Sequence, residues 1–372
     1  MTDTCERRSL IALHLTPSLG PRRIASLVRG FGSASLVWQA PVHALRAMPG
    51  IGPRLAAAIV FARVRVDVDR EVTRAERAGA RIVTWLDADY PARLRRLRDA
   101  PPVLYISGTW PESTVPAVAV VGTRRASPYG LGIADALAEI LAGAGAVVTS
   151  GLARGIDAAA HTGALRAGGV TVGVLGCGAD IAYPPEFRSL METVRCRGAV
   201  VAEQPMGTPP RPQQFPPRNR IISGLCDAVV VVEGDVDSGA MITARFAQSQ
   251  GRAVFAVPGN VHAPSSRGPH RLLSEGARIV TQPEDILKAL GLSRTISGVP
   301  AALATGPGTP IGPVEARVLA VLGGDALHID AVVARSGCGA PAVGAALMAL
   351  EVRGVVRQLP GKHFVQARGA PW

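Results

Sequence analysis

Six short runs of apolar residues, each followed by turn residues, recur between residues 92 and 290. Helical patterns separate several of them, at residues 129–142, 156–167 and 240–250. The runs are apolar throughout rather than alternately apolar and polar, which is typical of strands covered by helices on both faces. This succession predicts an α/β protein with an extended Rossmann-like, doubly wound and mostly parallel sheet. The predicted strands are residues 117–121, 146–149, 171–175, 199–201, 228–232 and 253–257.

The first strand-to-helix turn, VVGTRRASPYG at residues 120–130, has the features of a phosphate-binding turn. Gly122 ends the apolar run, Arg124 and Arg125 follow, and Ser127 and Gly130 stand where the helical pattern begins. Free amide groups at such a helix N-terminus point at an anion. The turn matches neither GxGxxG nor GxxxxGK[ST]. Two kinds of ligand therefore remain possible for this turn, the phosphate of a nucleotide cofactor and the phosphate of a nucleic acid backbone.

The net charge of +12 favours a polyanionic partner. Only Lys288 and Lys362 are lysines, so nearly all the positive charge is arginine. The arginine guanidinium can donate two hydrogen bonds at once to the oxygens of a phosphate. A composition skewed towards arginine and alanine is the alternative explanation. Five scattered cysteines without a CxxC pair argue against a zinc site or a disulfide framework, and no metal is expected.

Residues 1–86 are predicted to form a helical module of the helix-hairpin-helix or SAM-like type. Two of its segments resemble each other, SLGPRRIASLVRGFG at 18–32 and MPGIGPRLAAAIVFA at 48–62. In the second, Gly50 and Gly52 form a tight turn between two apolar helices, as in a helix-hairpin-helix motif. Such turns bring backbone amides close to a DNA phosphate without reading sequence. A packing or protein-contact module is the alternative.

The C-terminal part is predicted to be a linker followed by a winged helix. Residues 291–313 are rich in glycine, proline, serine and threonine, as linkers are. Residues 314–372 contain three helical patterns and then two short strands about a Pro-Gly turn. The third helical pattern, residues 340–350, is almost wholly apolar and lacks side chains suited to base contacts. A structural or protein-contact role is therefore expected for this module.

The central domain, residues 87–290, closely resembles the DNA-processing protein A family, also called DprA or Smf. The matching segments cover most of this domain in the family's order, and the flanking modules resemble those of the longer members. They read VAVVGTRRASPYG, SGLARGIDAAAHTGAL, VLGCGADIAYPPE, FPPRNRIISGL, VVVEGDVDSGAMITARFA and GRAVFAVPGN.

The resemblance implies a non-enzymatic protein that binds and protects single-stranded DNA, forms a homodimer and helps load the recombinase RecA during natural transformation and recombination. It implies no nucleotide cofactor. The family's GxRxxSxYG turn contributes to the DNA pocket, and here it maps to Gly122, Arg124, Ser127, Tyr129 and Gly130. The other residues expected at this surface are Arg125, Ser150, Gly151, Arg154, Gly155, Gly178, Phe215, Arg218, Asn219, Arg220, Ser238 and Gly239.

Three departures from the family pattern concern the third and last turns: Phe187 and His270 stand where asparagine is common, and the third turn has no lysine.

Two other classes of function remain alternatives. A nucleoside monophosphate phosphoribohydrolase would have a PGGxGTxxE turn, where this chain reads EGDVDSGAMITA. A protein-interaction adaptor would use the winged helix.

The N-terminus lacks the apolar stretch of a signal peptide and no run is long enough for a membrane span, so a cytoplasmic protein is expected.

Overall fold

The computed structural model describes residues 2–293, 312–322, 326–352, 355–359 and 361–366. The chain divides into two compact units, Met1–Arg294 and Thr295–Trp372. The predicted N-terminal and central domains thus belong to one unit. Most of the predicted linker, residues 291–313, lies outside the described residues.

Six helices precede the sheet; the first five pack round a core of their own, which includes Leu10, Leu13, Ile24, Leu27 and Ile59, and the sixth contributes Val68 and Ala75 to a cluster that it shares with the sheet. They are α1 (Thr2–Leu15), α2 (Pro21–Phe31), α3 (Ala34–Gln39), α4 (Val42–Arg46), α5 (Pro53–Arg65) and α6 (Val68–Arg77).

The two similar sequence segments form two similar turns, one before α2 and one before α5. Each turn opens on a residue with positive φ, Ser18 at +64° and Gly50 at +77°. A glycine N-cap without a side-chain hydrogen bond follows, Gly20 or Gly52, and each helix then begins with proline. The same turn geometry before a helix is therefore present twice, and its assignment to the helix-hairpin-helix type stays a prediction. Its use in DNA binding stays a prediction.

The central sheet has nine strands in the order β1-β2-β6-β5-β4-β3-β7-β8-β9. The pairs β1–β2 and β2–β6 are antiparallel, and the remaining pairs are parallel. This confirms the predicted fold class. The strands are β1 (Ala80–Thr84), β2 (Val103–Gly108), β3 (Ala117–Val121), β4 (Val147–Ser150), β5 (Thr171–Leu175), β6 (Ala199–Ala202), β7 (Ala228–Val231), β8 (Ala253–Ala256) and β9 (Arg278–Ile279).

Helices alternate with these strands, and the buried strand residues form two apolar clusters with them. The helices are α7 (Ala92–Arg95), α8 (Pro128–Gly143), α9 (Ile156–Arg166), α10 (Arg188–Arg197), α11 (Phe215–Gly224), α12 (Gly239–Ser249), α13 (Arg267–Ser274) and α14 (Glu284–Ala289).

The sheet begins earlier in the chain than the predicted boundary between residues 86 and 87. Strand β1 precedes that boundary, yet its residues pair in register with β2, from Ala80 opposite Ser107 to Thr84 opposite Val103. The helical module therefore supplies the edge strand of the sheet.

The second unit is a winged helix, as predicted. It contains α15 (Pro313–Val321), α16 (Ile329–Ser336) and α17 (Ala340–Val352), with strands β10 (Leu327–His328), β11 (Val356–Leu359) and β12 (His363–Gln366). The strands pair in the order β10-β12-β11. Val343, Leu347 and Leu350 of α17 are buried in its core, which explains the apolar character of that helix.

Among the described residues, no single helix is both long and apolar enough to cross a membrane. The segments Ile329–Ser336 and Ala340–Glu351 reach that length only as a pair, and the pair is bent by 112°.

Candidate nucleic-acid interface

The order of the parallel strands changes direction at β3, which lies between β4 and β7. Ligands of open α/β sheets bind in the crevice that forms at such a point, outside the carboxyl ends of the strands. A cavity of about 500 Å³ lies there. Among the predicted residues, Gly122, Arg124, Phe215, Arg218, Asn219, Ser238 and Gly239 line it.

Three side chains are stacked at the mouth of this cavity. The Arg124 guanidinium carbon lies 5.2 Å from the centre of the Phe215 ring. The Phe215 ring in turn lies 5.4 Å from the Tyr183 ring, with 34° between the two planes. We call these three residues the stack. It combines a cation with aromatic faces, which are the two elements that single-stranded nucleic acid requires.

Both arginines of the first turn point to solvent. Arg124 and Arg125 are exposed, and within the described part of the chain neither makes an ion pair with a carboxylate. Their charge is therefore available to an incoming anion.

Arg154 is exposed as well, but its Nη2 lies 2.5 Å from Oε1 of Glu186. Both side chains are about half exposed. An ion pair of this kind contributes little to stability. A phosphate could therefore replace Glu186 at small cost, and Arg154 also lines a smaller depression next to the stack.

The N-terminus of α8 is already occupied by a carboxylate of the chain itself. The Ser127 amide donates to Oε2 of Glu233 at 2.9 Å, and the Ser127 hydroxyl donates to Oε1 at 2.5 Å. A side chain at Gly130 would collide with the same carboxylate. Ser127 and Gly130 therefore hold Glu233. The sequence predicts a phosphate at this helix N-terminus, but the Glu233 carboxylate occupies that position instead.

Tyr129 lies beside this helix end, with its ring about half exposed. Its hydroxyl donates to the carbonyl oxygen of Pro258 at 3.0 Å, in the turn after β8. The ring thus has an exposed face but is not part of the stack.

Gly155 joins the second turn to the first. Its φ is +74°, and a side chain there would collide with the carbonyl oxygen of Thr123. Gly151 and Gly178 are also closely packed against neighbouring groups. These three glycines therefore shape the turns, and Gly151 also lines the depression next to the stack.

Arg218 lies below the stack and is buried. Its Nη1 donates to the carbonyl oxygen of Gly151 at 2.8 Å and to that of Val174. Burial lowers the pKa of Arg218 to about 10, although the Asp157 carboxylate opposes this shift. Burial also disfavours the charged form of Asp157 and therefore raises its pKa, although the carboxylate accepts hydrogen bonds from turn amides. Arg218 remains charged near neutral pH, so it adds positive potential from beneath the cavity.

Arg220 and Ser150 are expected at the DNA-binding surface, but the structure places both in the interior. Arg220 is buried, and its Nη2 donates to Oε1 of Glu203 at 2.6 Å. Ser150 is completely buried, and its hydroxyl donates to the carbonyl oxygen of Val120 at 2.7 Å. Neither side chain is available to a strand that lies on the protein surface.

The opposite wall of the cavity is polar. The Asn219 side-chain amide donates to the carbonyl oxygen of Gly239 at 3.1 Å, where α12 begins. The Ser238 hydroxyl is buried from solvent and has no hydrogen-bond partner in the described structure. Buried hydroxyls normally have partners. This one faces Gly234 and is closed off from solvent, so Ser238 lines the cavity without offering its hydroxyl to a ligand.

Asp157 and His161 do not form the acid–base pair that their spacing on one helix allows. Nδ1 of His161 lies 2.7 Å from the Thr171 hydroxyl, while the Asp157 carboxylate faces Gly151 and Ala153. Burial, and secondarily the charge of Arg218, lower the pKa of His161 to about 3. This histidine is therefore a neutral residue of the interior.

The pKa of His161 predicts acid sensitivity. The unfolded chain gains a proton near pH 6.5 and the folded chain only near pH 3, so stability is complete above pH 6.5 and falls between these values. We expect this residue to contribute a loss of about 1.4 kcal/mol for each pH unit below about 6. Urea unfolding at pH 7, 6 and 5 should show a steeper decline for the wild type than for His161→Gln. Equal slopes would contradict the prediction.

Aromatic residues make up only 4% of the sequence, which leaves Tyr129, Tyr183 and Phe215 as the rings on which base stacking can rest, and Tyr183 completes the stack. Pro210, Pro212 and Pro216 also line the cavity. The segment TPPRPQQFPPRN, residues 208–219, gave a signal for them, because proline is favoured at the start of a helix; Pro212 begins a 3-10 turn and Pro216 lies in the first turn of α11.

Comparison with known protein families gives two matches. Residues 81–291 match the model described as DNA recombination-mediator protein A, and residues 301–362 match the DprA winged helix domain. Protein Smf of Synechocystis sp. is 31% identical over 96% of this chain and 98% of its own length. Protein Smf of Escherichia coli is 39% identical over 76% of each chain.

Two solved structures are similar to this one. The X-ray structure of DNA processing protein A from Streptococcus pneumoniae has a TM-score of 0.67 at 32% identity, and covers 76% of this chain and 97% of that one. The protein of the same name from Helicobacter pylori has a TM-score of 0.51 at 29% identity, with 57% and 97% covered. The latter structure is described as showing a single-stranded DNA binding mode.

Proposed function

The chain belongs to the DNA recombination-mediator protein A family, and we propose that it binds single-stranded DNA in the cavity at the carboxyl edge of its sheet. The observation that carries this proposal is the stack of Arg124, Phe215 and Tyr183 at an open cavity. An exposed guanidinium without a carboxylate partner neutralises a phosphate, and the ring faces accept an unpaired base.

The surroundings of the stack support a polynucleotide rather than a single small anion. Exposed arginines continue along the first two turns, at Arg125 and Arg154. Contacts spread over several turns suit a chain with a charge at every nucleotide.

The same proposal includes partners and a cellular setting. We infer that the protein acts as a homodimer that passes its single strand to a recombinase of the RecA type, without catalytic chemistry or a nucleotide cofactor. Asp157 and His161 are engaged with interior groups, which supports a binding function rather than acid–base catalysis. A role in recombination places the protein in the cytoplasm, with the chromosome.

Replacing Arg124 with alanine is expected to weaken single-strand binding by roughly 1–3 kcal/mol, because a charge-assisted phosphate contact is lost. A labelled oligonucleotide titrated at several salt concentrations would measure this change. The slope of log K against log salt should also become shallower by about 0.7.

Arg245→Ala is the matched control, since Arg245 is also exposed but lies farther along α12 and outside the cavity lining. Unchanged affinity in Arg124→Ala with intact circular dichroism would refute the role of Arg124. Turnover of nucleoside monophosphates without oligonucleotide binding would favour the phosphoribohydrolase alternative instead.

A further inference from the structure

The positive charge of the chain is concentrated in the N-terminal helices. Between Glu6 and Asp67 the sequence contains nine arginines and neither aspartate nor glutamate. The whole chain carries a net charge of +12, so this stretch accounts for most of the excess. The cavity proposed for the single strand lies elsewhere, on the turns that follow β3 to β7.

One face of α2 presents part of this charge to solvent. Arg22, Ala25, Ser26 and Arg29 follow the spacing of one helix face, and Arg98 from the segment after α7 joins them. Together they line an open depression of about 520 Å³. We call these five residues the α2 surface. On the opposite face of the helix, Ile24 and Leu27 are completely buried, so the core holds the arginines in place.

The arginines of the α2 surface are largely free of internal partners. Arg29 and Arg98 are exposed and make no ion pair within the described part of the chain. Arg22 lies 3.2 Å from Asp99, but 78% of its side chain is exposed. Ala25 and Ser26 are small and form the floor between the arginines. A linear polyanion can therefore approach closely.

The α2 surface differs from the cavity of the central domain in one respect that selects its ligand. No aromatic ring lines it, whereas Phe215 and Tyr183 line the cavity. It therefore offers phosphate contacts without base stacking. Duplex DNA keeps its bases stacked inside and carries one charge per about 1.7 Å of helix axis, the densest array of phosphates that DNA offers. We propose that the α2 surface binds the backbone of duplex DNA.

This site goes beyond the proposed function, because it does not depend on the cavity for the single strand. A protein with both surfaces would hold an unpaired strand and a duplex at the same time. Those are the two substrates that homologous strand exchange must bring together.

The test is the binding of a labelled blunt duplex to the full chain with Arg29→Glu and Arg98→Glu combined. Arg22 is left unchanged because of its contact with Asp99. The control combines Arg70→Glu and Arg77→Glu, which reverse the same number of charges on exposed residues of α6. The expected loss of duplex affinity is about tenfold in the first variant, and the slope of log K against log salt falls by about 2.

Single-strand affinity should stay within about twofold in both variants, which separates this proposal from that for the cavity. Duplex binding by the wild type should also persist when the cavity is saturated with a single-stranded oligonucleotide. The proposal is overturned if the wild type does not bind duplex, if the two double variants lose duplex affinity equally, or if the first variant loses single-strand affinity by the same factor.

Discussion

Replacing Arg218 with alanine is expected to lower the free energy of unfolding by roughly 3–5 kcal/mol, because it leaves the buried Asp157 carboxylate without its cation. The substitution also removes the donor to the carbonyl oxygens of Gly151 and Val174. Urea unfolding followed by tryptophan fluorescence would measure the change, since Trp38, Trp85 and Trp110 all lie in the first compact unit.

A second variant separates the buried charge from the packing of the long side chain. Arg218→Met combined with Asp157→Asn removes both charges and keeps similar volumes. Much of the lost stability should return in this pair, because no buried charge is then left without an opposite charge nearby. A loss below about 1 kcal/mol in Arg218→Ala would show that Arg218 is not essential to this interior.

Replacing Phe215 with alanine is expected to reduce single-strand affinity by more than Arg124→Ala does. It removes an aromatic surface worth roughly 1–3 kcal/mol for each stacked base. It also releases the Arg124 guanidinium, which lies 5.2 Å from the ring. Titration with a labelled oligonucleotide at fixed salt would measure the loss.

Two controls accompany this experiment. Phe215→Leu keeps an apolar side chain of moderate size against Tyr183, so it should preserve stability while losing most of the stacking. In the double variant with Arg124→Ala, the losses should be less than additive, because each residue positions the other. Full affinity in Phe215→Ala would exclude the stack as the binding platform.

The central α/β architecture was predictable because the strands buried on both faces are apolar without interruption. Three strands of the sheet were not predicted. In β1, ARIVT places the exposed Arg81 among buried residues, and β9 has only two residues, both exposed. Strand β2 precedes the first βα repeat and pairs antiparallel, so the repeat gave no signal for it.

The position of the cavity at the ends of the strands was predictable, but the surroundings of each residue were not. Arg124 and Arg218 occur in similar polar segments, yet one is exposed and the other buried. What separates them is Asp157, which lies 61 positions before Arg218 and provides a buried opposite charge. Glu233 similarly reaches Ser127 across 106 positions. Contacts over such distances arise only from the folded chain.

The stack has a consequence for what the protein can distinguish. The faces of Phe215 and Tyr183 present flat hydrocarbon, and every purine and pyrimidine has a flat face to match them. In the proposed complex Arg124 would contact the sugar-phosphate chain, which is the same at every step. A platform built in this way would bind single strands regardless of their nucleotide sequence. It would therefore retain a strand of foreign origin as firmly as one of the cell's own.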